Sequence, residues 1–420
     1  MKTQIALLSA NPEKRMEPIY NQSYMLGNFS SNRASFGVPN LYLPLTESNR
    51  IGLACSDVAE YKLKISVGPG KYDYVILTNY VKEKCAWSTD LSKNLIILPG
   101  QALTESFYSD MAIYYARQGY STYILDRRET NVPANETDFS YMENWTIDNY
   151  LSDTYNGIAV SRIHTAFLSN ESVEDIEVTV IGHSHGALIL TAYEASEYRN
   201  LALGSVDRIV PVDIIIRYEP KYSELIQAQA QEFDTISSCI ENRMYNSSDM
   251  AAMMQIASMA LTNPDGKSSF QPGLTNRQFF RLMATQTHAF NEYPYTPNYH
   301  YWSGDLGGLY YVDENKLLNL TLTGGAVPYV PKHLDLYMAG LMGNVDGYEI
   351  EYSRISSPVL YVGLGGGFSG YGAWWYENEV GKINDKVTSI NWNNQGHGSI
   401  ALDYNSPELW ALIHNWIEDN

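Results

Sequence analysis

The sequence IEVTVIGHSHGALIL, residues 176–190, decides the fold, because it joins a strand, a tight turn and a helix without a break. Residues 176–181 are mostly apolar and rich in β-branched side chains, which predicts a buried strand. Residues 182–186 are G-x-S-x-G, and a helical pattern follows them. The small glycines let strand and helix approach closely, and the turn lifts the Ser184 hydroxyl to a helix N-terminus, whose dipole stabilises negative charge. The pattern predicts a nucleophilic serine; the alternative is an inert glycine-rich turn.

A serine hydroxyl needs a general base, and His397 is the strongest candidate. It lies in Gly-His-Gly, after the last predicted strand (residues 386–391) and before a closing helix. A histidine between two glycines on a loop has little structural use, so we expect it to take the serine proton. The alternative is an exposed turn histidine. His183 and His185, which flank the serine, are expected to shape the pocket.

Backbone N–H groups are needed to stabilise the oxyanion that forms when a carbonyl is attacked. One donor is expected to be the N–H of His185, the residue after the nucleophile. The second is expected from the loop that follows the strand NLIIL (residues 94–98) and reads Pro-Gly-Gln-Ala. In that loop the Gln101 N–H is the best candidate, with Ala102 next. The alternative is an ordinary strand–helix loop.

The order of apolar stretches predicts one α/β body with an insertion. Residues 93–213 alternate short strands with helical stretches, which is typical of a parallel sheet, and an antiparallel hairpin around Pro69 precedes them. We therefore expect four parts: an irregular N-terminal arm (1–50), a first core part (51–213), a mainly helical insertion (214–353) and a second core part (354–420). Because the insertion has the size of a small domain, we expect the core to fold without it.

Together these motifs resemble the α/β-hydrolase superfamily over about residues 61–417, apart from the insertion. The resemblance rests on LPGQA, YILDRRETNVP, VIGHSHG, SRISSPVLYVG and NNQGHGSIALD, in that order along the chain. It implies an α/β-hydrolase fold, with a mostly parallel eight-stranded sheet, an antiparallel edge pair and a cap domain after the sixth strand. It also implies that the catalytic acid lies between the serine and the histidine in the sequence.

The acid departs from the commonest pattern of that superfamily, in which it follows the penultimate strand. Here the strand PVLYVG is followed by residues 364–367, which are only leucine and glycine. The glycines lack the context of a phosphate-binding loop and predict a mobile loop. A minority of the superfamily has its acid at the end of the strand before the cap, which implies Asp213. Glu219 is the alternative acid, and Asp385 is a third.

Composition excludes two classes of protein. The 420 residues are 13% aromatic and only 18% charged, which excludes a disordered chain. The net charge of −19, without any cluster of Lys and Arg, excludes a general nucleic-acid binder. No run of 18 apolar residues occurs, so we expect no transmembrane segment. The sequence contains no cofactor or metal-binding motif, and it does not indicate an oligomeric state.

Three features bear on the compartment. The apolar stretch 5–10 is too short for an intact signal peptide. Cys55 and Cys85 flank the predicted hairpin within reach of a disulfide, although two small buried side chains are the alternative. N-x-S/T sequons weakly favour an extracytoplasmic protein. They occur at Asn21, Asn28, Asn135, Asn144, Asn170, Asn246 and Asn319.

We therefore expect a serine hydrolase that cleaves a carboxylic ester through an acyl-enzyme intermediate, with Ser184, His397 and Asp213 as its triad. The acidic charge and the aromatic insertion favour a small, neutral and apolar ester. Two alternatives stay open. One is a peptidase or amidase of the same fold, since a fold does not determine a substrate. The other is a binding protein that kept the fold without the activity.

Overall fold

One ten-stranded sheet forms the centre of the protein. The computed structural model describes residues 7–9, 45–55, 57–82, 92–285, 307–309, 312–393 and 395–420. The strands of the sheet are β1 (Leu7–Ser9), β2 (Leu45–Cys55), β3 (Val58–Ser66), β4 (Tyr74–Lys82), β5 (Lys93–Leu98), β6 (Ser121–Asp126), β7 (Glu177–His183), β8 (Arg208–Val212), β11 (Val359–Leu364) and β12 (Val387–Trp392). Two short strands, β9 (Asn246–Ser247) and β10 (Val330–Pro331), form a separate antiparallel pair.

The strand order across the large sheet is β1-β2-β3-β4-β6-β5-β7-β8-β11-β12. From β6 to β12 every neighbouring pair is parallel, whereas β3 and β4 form an antiparallel hairpin and β4 pairs antiparallel with β6. The inner strands are almost entirely buried, because helices cover both faces of a parallel sheet. These eight strands confirm the predicted mostly parallel sheet with an antiparallel edge.

The sheet continues beyond the predicted hairpin into the N-terminal part of the chain. β2 pairs antiparallel with β3, and β1 pairs parallel with β2. The structure thus differs at these strands from the irregular arm expected for residues 1–50. β2 lacks a clean period because its register against β3 shifts at three places, and each shift interrupts the alternation of faces. The rest of that arm lies outside the described residues.

Helices cover the two faces of the sheet and define two core clusters. On one face lie α2 (Ile147–Ser169), α3 (His185–Glu194) and α9 (Ser369–Asn378). On the other face lie α1 (Glu105–Arg117), α10 (Ser399–Leu402) and α11 (Ser406–Asp419). The predicted helices of the core are therefore present. The arrangement brings the loops after the parallel strands to one edge of the sheet, where ligand sites of such folds lie.

The chain between β8 and β11 is mainly helical in its described residues. It contains α4 (Ser223–Glu241), α5 (Asp249–Thr262), α6 (Asn276–Thr285), α7 (Glu314–Leu322) and α8 (Lys332–Met342). Several of its apolar side chains nevertheless belong to the main core cluster. Ile214 and Leu334 are completely buried there, together with Val359 of β11. The segment predicted as an insertion therefore shares packing with the α/β body.

Candidate active site

Ser184 occupies a strained turn between β7 and α3. Its φ of 54° and ψ of −122° lie outside the regions that side chains favour. Glycine is required on both sides, since a Cβ on Gly186 would lie 2.1 Å from the Leu98 carbonyl oxygen and one on Gly182 would lie 2.5 Å from that of Gly186. The Ser184 N–H donates to the Val212 carbonyl at 2.9 Å, which holds the turn against the end of β8. The serine is 8% exposed.

Asp213 and His397 are in direct contact at the same sheet edge. The distance between His397 Nδ1 and Asp213 Oδ2 is 2.7 Å, and both residues are buried. Because an ionised carboxylate only accepts hydrogen bonds, Nδ1 carries the proton and Nε2 has the lone pair. In this tautomer Nε2 is the ring nitrogen that can accept a proton.

Backbone donors hold the Asp213 carboxylate in place. Oδ1 accepts hydrogen bonds from the N–H groups of Leu364 at 2.8 Å and Phe368 at 3.1 Å. The glycine run in between allows this approach, since a Cβ on Gly367 would lie 1.8 Å from Asp213 Oδ2. The loop expected only to be mobile thus encloses the candidate acid. The contact between this glycine loop and Asp213 could not be predicted from the sequence, because Asp213 follows a different strand.

The alternative acids lie in different surroundings. Glu219 pairs with Lys221 at 2.6 Å, and its side chain is 29% exposed. Asp385 is exposed just before β12. Of the three candidate acids, Asp213 is the one that the structure places against His397.

Two backbone N–H groups, those of Gln101 and His185, remain the candidate donors of an oxyanion hole. Arg127 donates to the Pro99 carbonyl at 2.6 Å and to the Gly100 carbonyl at 2.8 Å. In a planar trans peptide the N–H points away from the carbonyl, so the Gln101 N–H points away from the Arg127 guanidinium. Within the described part of the chain, neither this N–H nor that of His185 donates to a protein acceptor. Both donors are available to a ligand.

Arg127 is a residue whose role the sequence analysis missed. It is buried, and its Nε donates to Glu129 at 2.5 Å while the rest of the guanidinium holds the loop. The available signal was an arginine directly after a parallel strand, at the edge where ligand sites lie. Its role could not be predicted from the sequence, because its backbone partners lie on the loop after a different strand.

His183 connects the oxyanion loop to the histidine loop. Its Nε2 lies 2.7 Å from the His397 carbonyl oxygen, and its Nδ1 lies 2.7 Å from the Tyr108 hydroxyl. A carbonyl only accepts, so Nε2 donates to it and Nδ1 accepts from Tyr108. The Gly100 N–H in turn donates to the Tyr108 oxygen at 2.9 Å. Burial, with the nearby His397 as a smaller cause, holds the pKa of His183 well below its usual value, which keeps this chain of hydrogen bonds neutral.

Other expectations concern ligands, membranes and cysteines. In the described ranges, no three His, Cys, Asp or Glu side chains are grouped so that they could hold a metal ion. None of the helices in those ranges combines the length and the apolar character that a bilayer crossing needs. The possible bridge between Cys55 and Cys85 falls outside the described residues, because Cys85 and the side chain of Cys55 are not among them.

Comparison with known proteins shows similarity at the level of structure. No family profile and no curated protein matches the chain. A candidate lipase from Sulfolobus solfataricus has a TM-score of 0.59 at 14% identity, covering 88% of this chain and 96% of its own. An epoxide hydrolase from Vigna radiata has a TM-score of 0.47 at 10% identity, covering 86% and 98%. A soluble variant of monoglyceride lipase from Saccharomyces cerevisiae has the same TM-score and identity, covering 82% and 92%. At these identities the similarity is one of fold.

Proposed function

We propose that this protein, which has the α/β-hydrolase fold, is a serine hydrolase that cleaves carboxylic esters. The observation that carries the proposal is the buried Asp213–His397 pair next to the strained turn of Ser184. Two backbone links support the grouping of these three residues. The Ser184 N–H bonds the residue before Asp213, and the ring of the residue before Ser184 bonds the carbonyl of His397.

In the proposed mechanism Ser184 attacks the ester carbonyl while His397 Nε2 takes its proton. Asp213 keeps the imidazole in the correct tautomer and stabilises the imidazolium that forms. The negative charge on the former carbonyl oxygen is stabilised by the N–H groups of Gln101 and His185. The imidazolium then gives its proton to the departing alcohol, which leaves an acyl-enzyme. Water activated by the same histidine releases the acid.

A fluorophosphonate probe tests the nucleophile. We expect the probe to label the protein at Ser184 and not to label the Ser184→Ala variant, whose smaller side chain the turn accommodates. Labelling is expected because the Asp213–His397 pair activates the hydroxyl. A folded wild-type protein that resists the probe would contradict the proposal and favour the binding protein without activity.

The leaving group is tested with a matched panel of p-nitrophenyl esters and aminoacyl anilides. We expect the esters to be turned over faster than the anilides. We also expect the turnover of the esters to be lost in the Ser184→Ala variant. Faster cleavage of the anilides would favour the peptidase or amidase.

A further inference from the structure

Three polar side chains meet beside the proposed oxyanion hole, and the proposed mechanism uses none of them. They are Gln101 from the loop after β5, His185 from the start of α3, and Asp335 from α8. The Gln101 Nε2 group donates to Asp335 Oδ1 at 2.7 Å. The same Oδ1 lies 3.5 Å from His185 Nε2, which is too long for a good hydrogen bond.

Apart from the bond between Gln101 and Asp335, the hydrogen-bonding capacity of these side chains is not used within the described structure. His185 is 2% exposed, yet neither of its ring nitrogens has a hydrogen-bond partner among the described residues. Asp335 is 21% exposed and has no Lys or Arg of the described chain within 4.0 Å. A largely buried carboxylate without a cation and a buried imidazole without a partner are both costly in a folded protein. Both costs would be removed by a ligand that donates hydrogen bonds and carries positive charge.

We propose that Gln101, His185 and Asp335 form a subsite that binds a protonated amino group of the substrate. An ammonium group has three donors and no acceptor, so it can bond the carboxylate and the unprotonated ring nitrogen of His185 together. A hydroxyl has one donor and does not neutralise the carboxylate. A carboxylate ligand would be repelled. The inference rests on the proposed function, because it assigns the amine to the substrate of the same reaction centre.

The protonation states agree with this ligand. Burial, followed by the nearby Arg127 guanidinium and the His397 ring, lowers the pKa of His185 to about 3, so the His185 ring is neutral and offers one acceptor nitrogen. Burial raises the pKa of Asp335 to about 7, so the carboxylate is ionised in mildly alkaline solution. The net charge of −19 also favours the approach of cations over anions.

The position of the subsite gives it a direct influence on specificity. The side chains of Gln101 and His185 belong to the same two residues whose backbone N–H groups are proposed to hold the oxyanion. A bound amine would therefore lie close to the carbonyl that reacts. A substrate with an amino group differs from the neutral, apolar ester expected from composition. The difference arises because the segment 214–353 contributes a carboxylate here and not only aromatic side chains.

Calorimetry with n-hexylammonium, 1-hexanol and hexanoate tests the subsite without requiring turnover. At about pH 8.5 the ammonium is expected to bind about tenfold or more tightly than the alcohol, because a hydrogen bond between charged groups is stronger than one from a neutral hydroxyl. Asp335→Asn keeps the shape and the acceptor for Gln101 but removes the charge, so the preference should fall to about threefold or less. Asp346→Asn, an exposed carboxylate of the same segment, is the matched control and should keep the preference.

The pH dependence gives a second readout. Lys332 lowers the pKa of Asp335, Asp249 and Glu232 raise it, and His185 faces it as a neutral ring. With a folded-state pKa of about 7, the carboxylate loses its charge as the pH falls below that value. An alkylammonium stays protonated over this range, like a lysine side chain. The preference for hexylammonium should therefore be strong near pH 8 and weak near pH 6.

Two results would overturn the subsite. One is equal binding of hexylammonium and hexanol to the wild-type protein. The other is a preference that persists in a folded Asp335→Asn variant. Fluorophosphonate labelling of the same samples separates this inference from the proposed function. Labelling without an amine preference contradicts the subsite alone, and an amine preference without labelling supports the subsite while contradicting the serine hydrolase.

Discussion

Ser184 and Asp213 share an uncommon backbone conformation. Both have positive φ, 54° and 50°, although neither is glycine, and each directly follows one of the neighbouring strands β7 and β8. Such conformations cost about 1–3 kcal/mol and persist where surrounding structure imposes them. Here each residue is held by a backbone bond to the next strand, from Ser184 to Val212 and from Asp213 to Val362. Strained backbone conformations at one sheet edge are typical of a functional site, and this supports the proposed triad.

Asp213→Asn should lower kcat by about 10³–10⁴-fold, because an amide can present its NH₂ group to His397 Nδ1 and favour the wrong tautomer. Steady-state kinetics with a p-nitrophenyl ester measures the loss, and the melting temperature shows whether the variant is folded. Glu219→Gln is the matched control and should keep its activity, since Glu219 pairs with Lys221. The opposite result, with Glu219→Gln inactive and Asp213→Asn active, would assign the acid to Glu219.

Tyr108→Phe should destabilise the protein by about 1–3 kcal/mol, because it leaves a buried N–H of Gly100 and a buried nitrogen of His183 without partners. Urea unfolding measures the change. Tyr114→Phe on the same helix is the control, and a change within about 0.5 kcal/mol is expected there because that residue is only half-buried. Equal stability of the two variants would mean that the hydrogen-bonded chain through His183 contributes little.

The connection from β11 to α9 is the element that positions the acid. Leu364 and Phe368 supply N–H donors from its two ends, and the glycines between them leave room for the carboxylate. Phe368 also packs edge-on against the His397 ring, with 5.0 Å between the ring centroids. One loop therefore contacts both partners of the Asp213–His397 pair.

Gly367→Ala should reduce kcat by about 10²-fold or more, because the new methyl group must displace the Asp213 carboxylate and with it the imidazole. Gly370→Ala is the matched control, since a Cβ there meets no atom within 4 Å. That control lies within α9 and should be stabilised by up to about 1 kcal/mol, as alanine favours helices over glycine. Steady-state kinetics and thermal unfolding of both glycine variants test this prediction. An active Gly367→Ala enzyme would contradict the assignment of Asp213.

The elements could be predicted where their signals are local. The strand, turn and helix around Ser184, the Gly-His-Gly loop of His397 and the positions of the eight strands along the chain all follow from patterns in short stretches. Arg127, Asp335 and the role of the glycine run could not be predicted, because their contacts join residues far apart in the sequence. Gln101 and Asp335, for example, are 234 positions apart. The irregular register of β2 hid that strand for a different reason, since each shift reverses which side chains face the core.

At the scale of the whole molecule, the segment 214–353 is connected both to the core and to the proposed oxyanion loop. The Val327 N–H donates to the Ala102 carbonyl at 2.9 Å, and the Thr104 hydroxyl donates to the Gly324 carbonyl at 2.6 Å. Asp335 holds the Gln101 side chain. The segment therefore contacts the loop that carries one of the proposed oxyanion donors, so substitutions in it should affect the proposed site.

Removal of residues 214–353 should leave a core that does not fold, contrary to the expectation from the sequence. The deletion takes Ile214, Ile216, Leu334 and Leu341 out of the main core cluster, and each buried aliphatic side chain is worth about 1.5–3 kcal/mol. Their sum is comparable to the whole free energy of unfolding of a typical protein, about 5–15 kcal/mol. Circular dichroism and thermal unfolding of the deleted protein check this. A cooperative transition near that of the full chain would show that the α/β body is independent.

Single substitutions also test whether the segment shares the core, and they avoid joining the two chain ends that a deletion leaves. Leu334→Ala should lower the free energy of unfolding by about 2–5 kcal/mol, since a completely buried side chain leaves a cavity in a core shared with β11. Leu261→Ala, in the same segment but 38% exposed, should lower it by less than about 1 kcal/mol. Urea unfolding followed by tryptophan fluorescence compares them. If both substitutions cost the same small amount, the segment does not share the core. A large cost for Leu334 alone means that helix α8 and the sheet against which it packs fold as one unit.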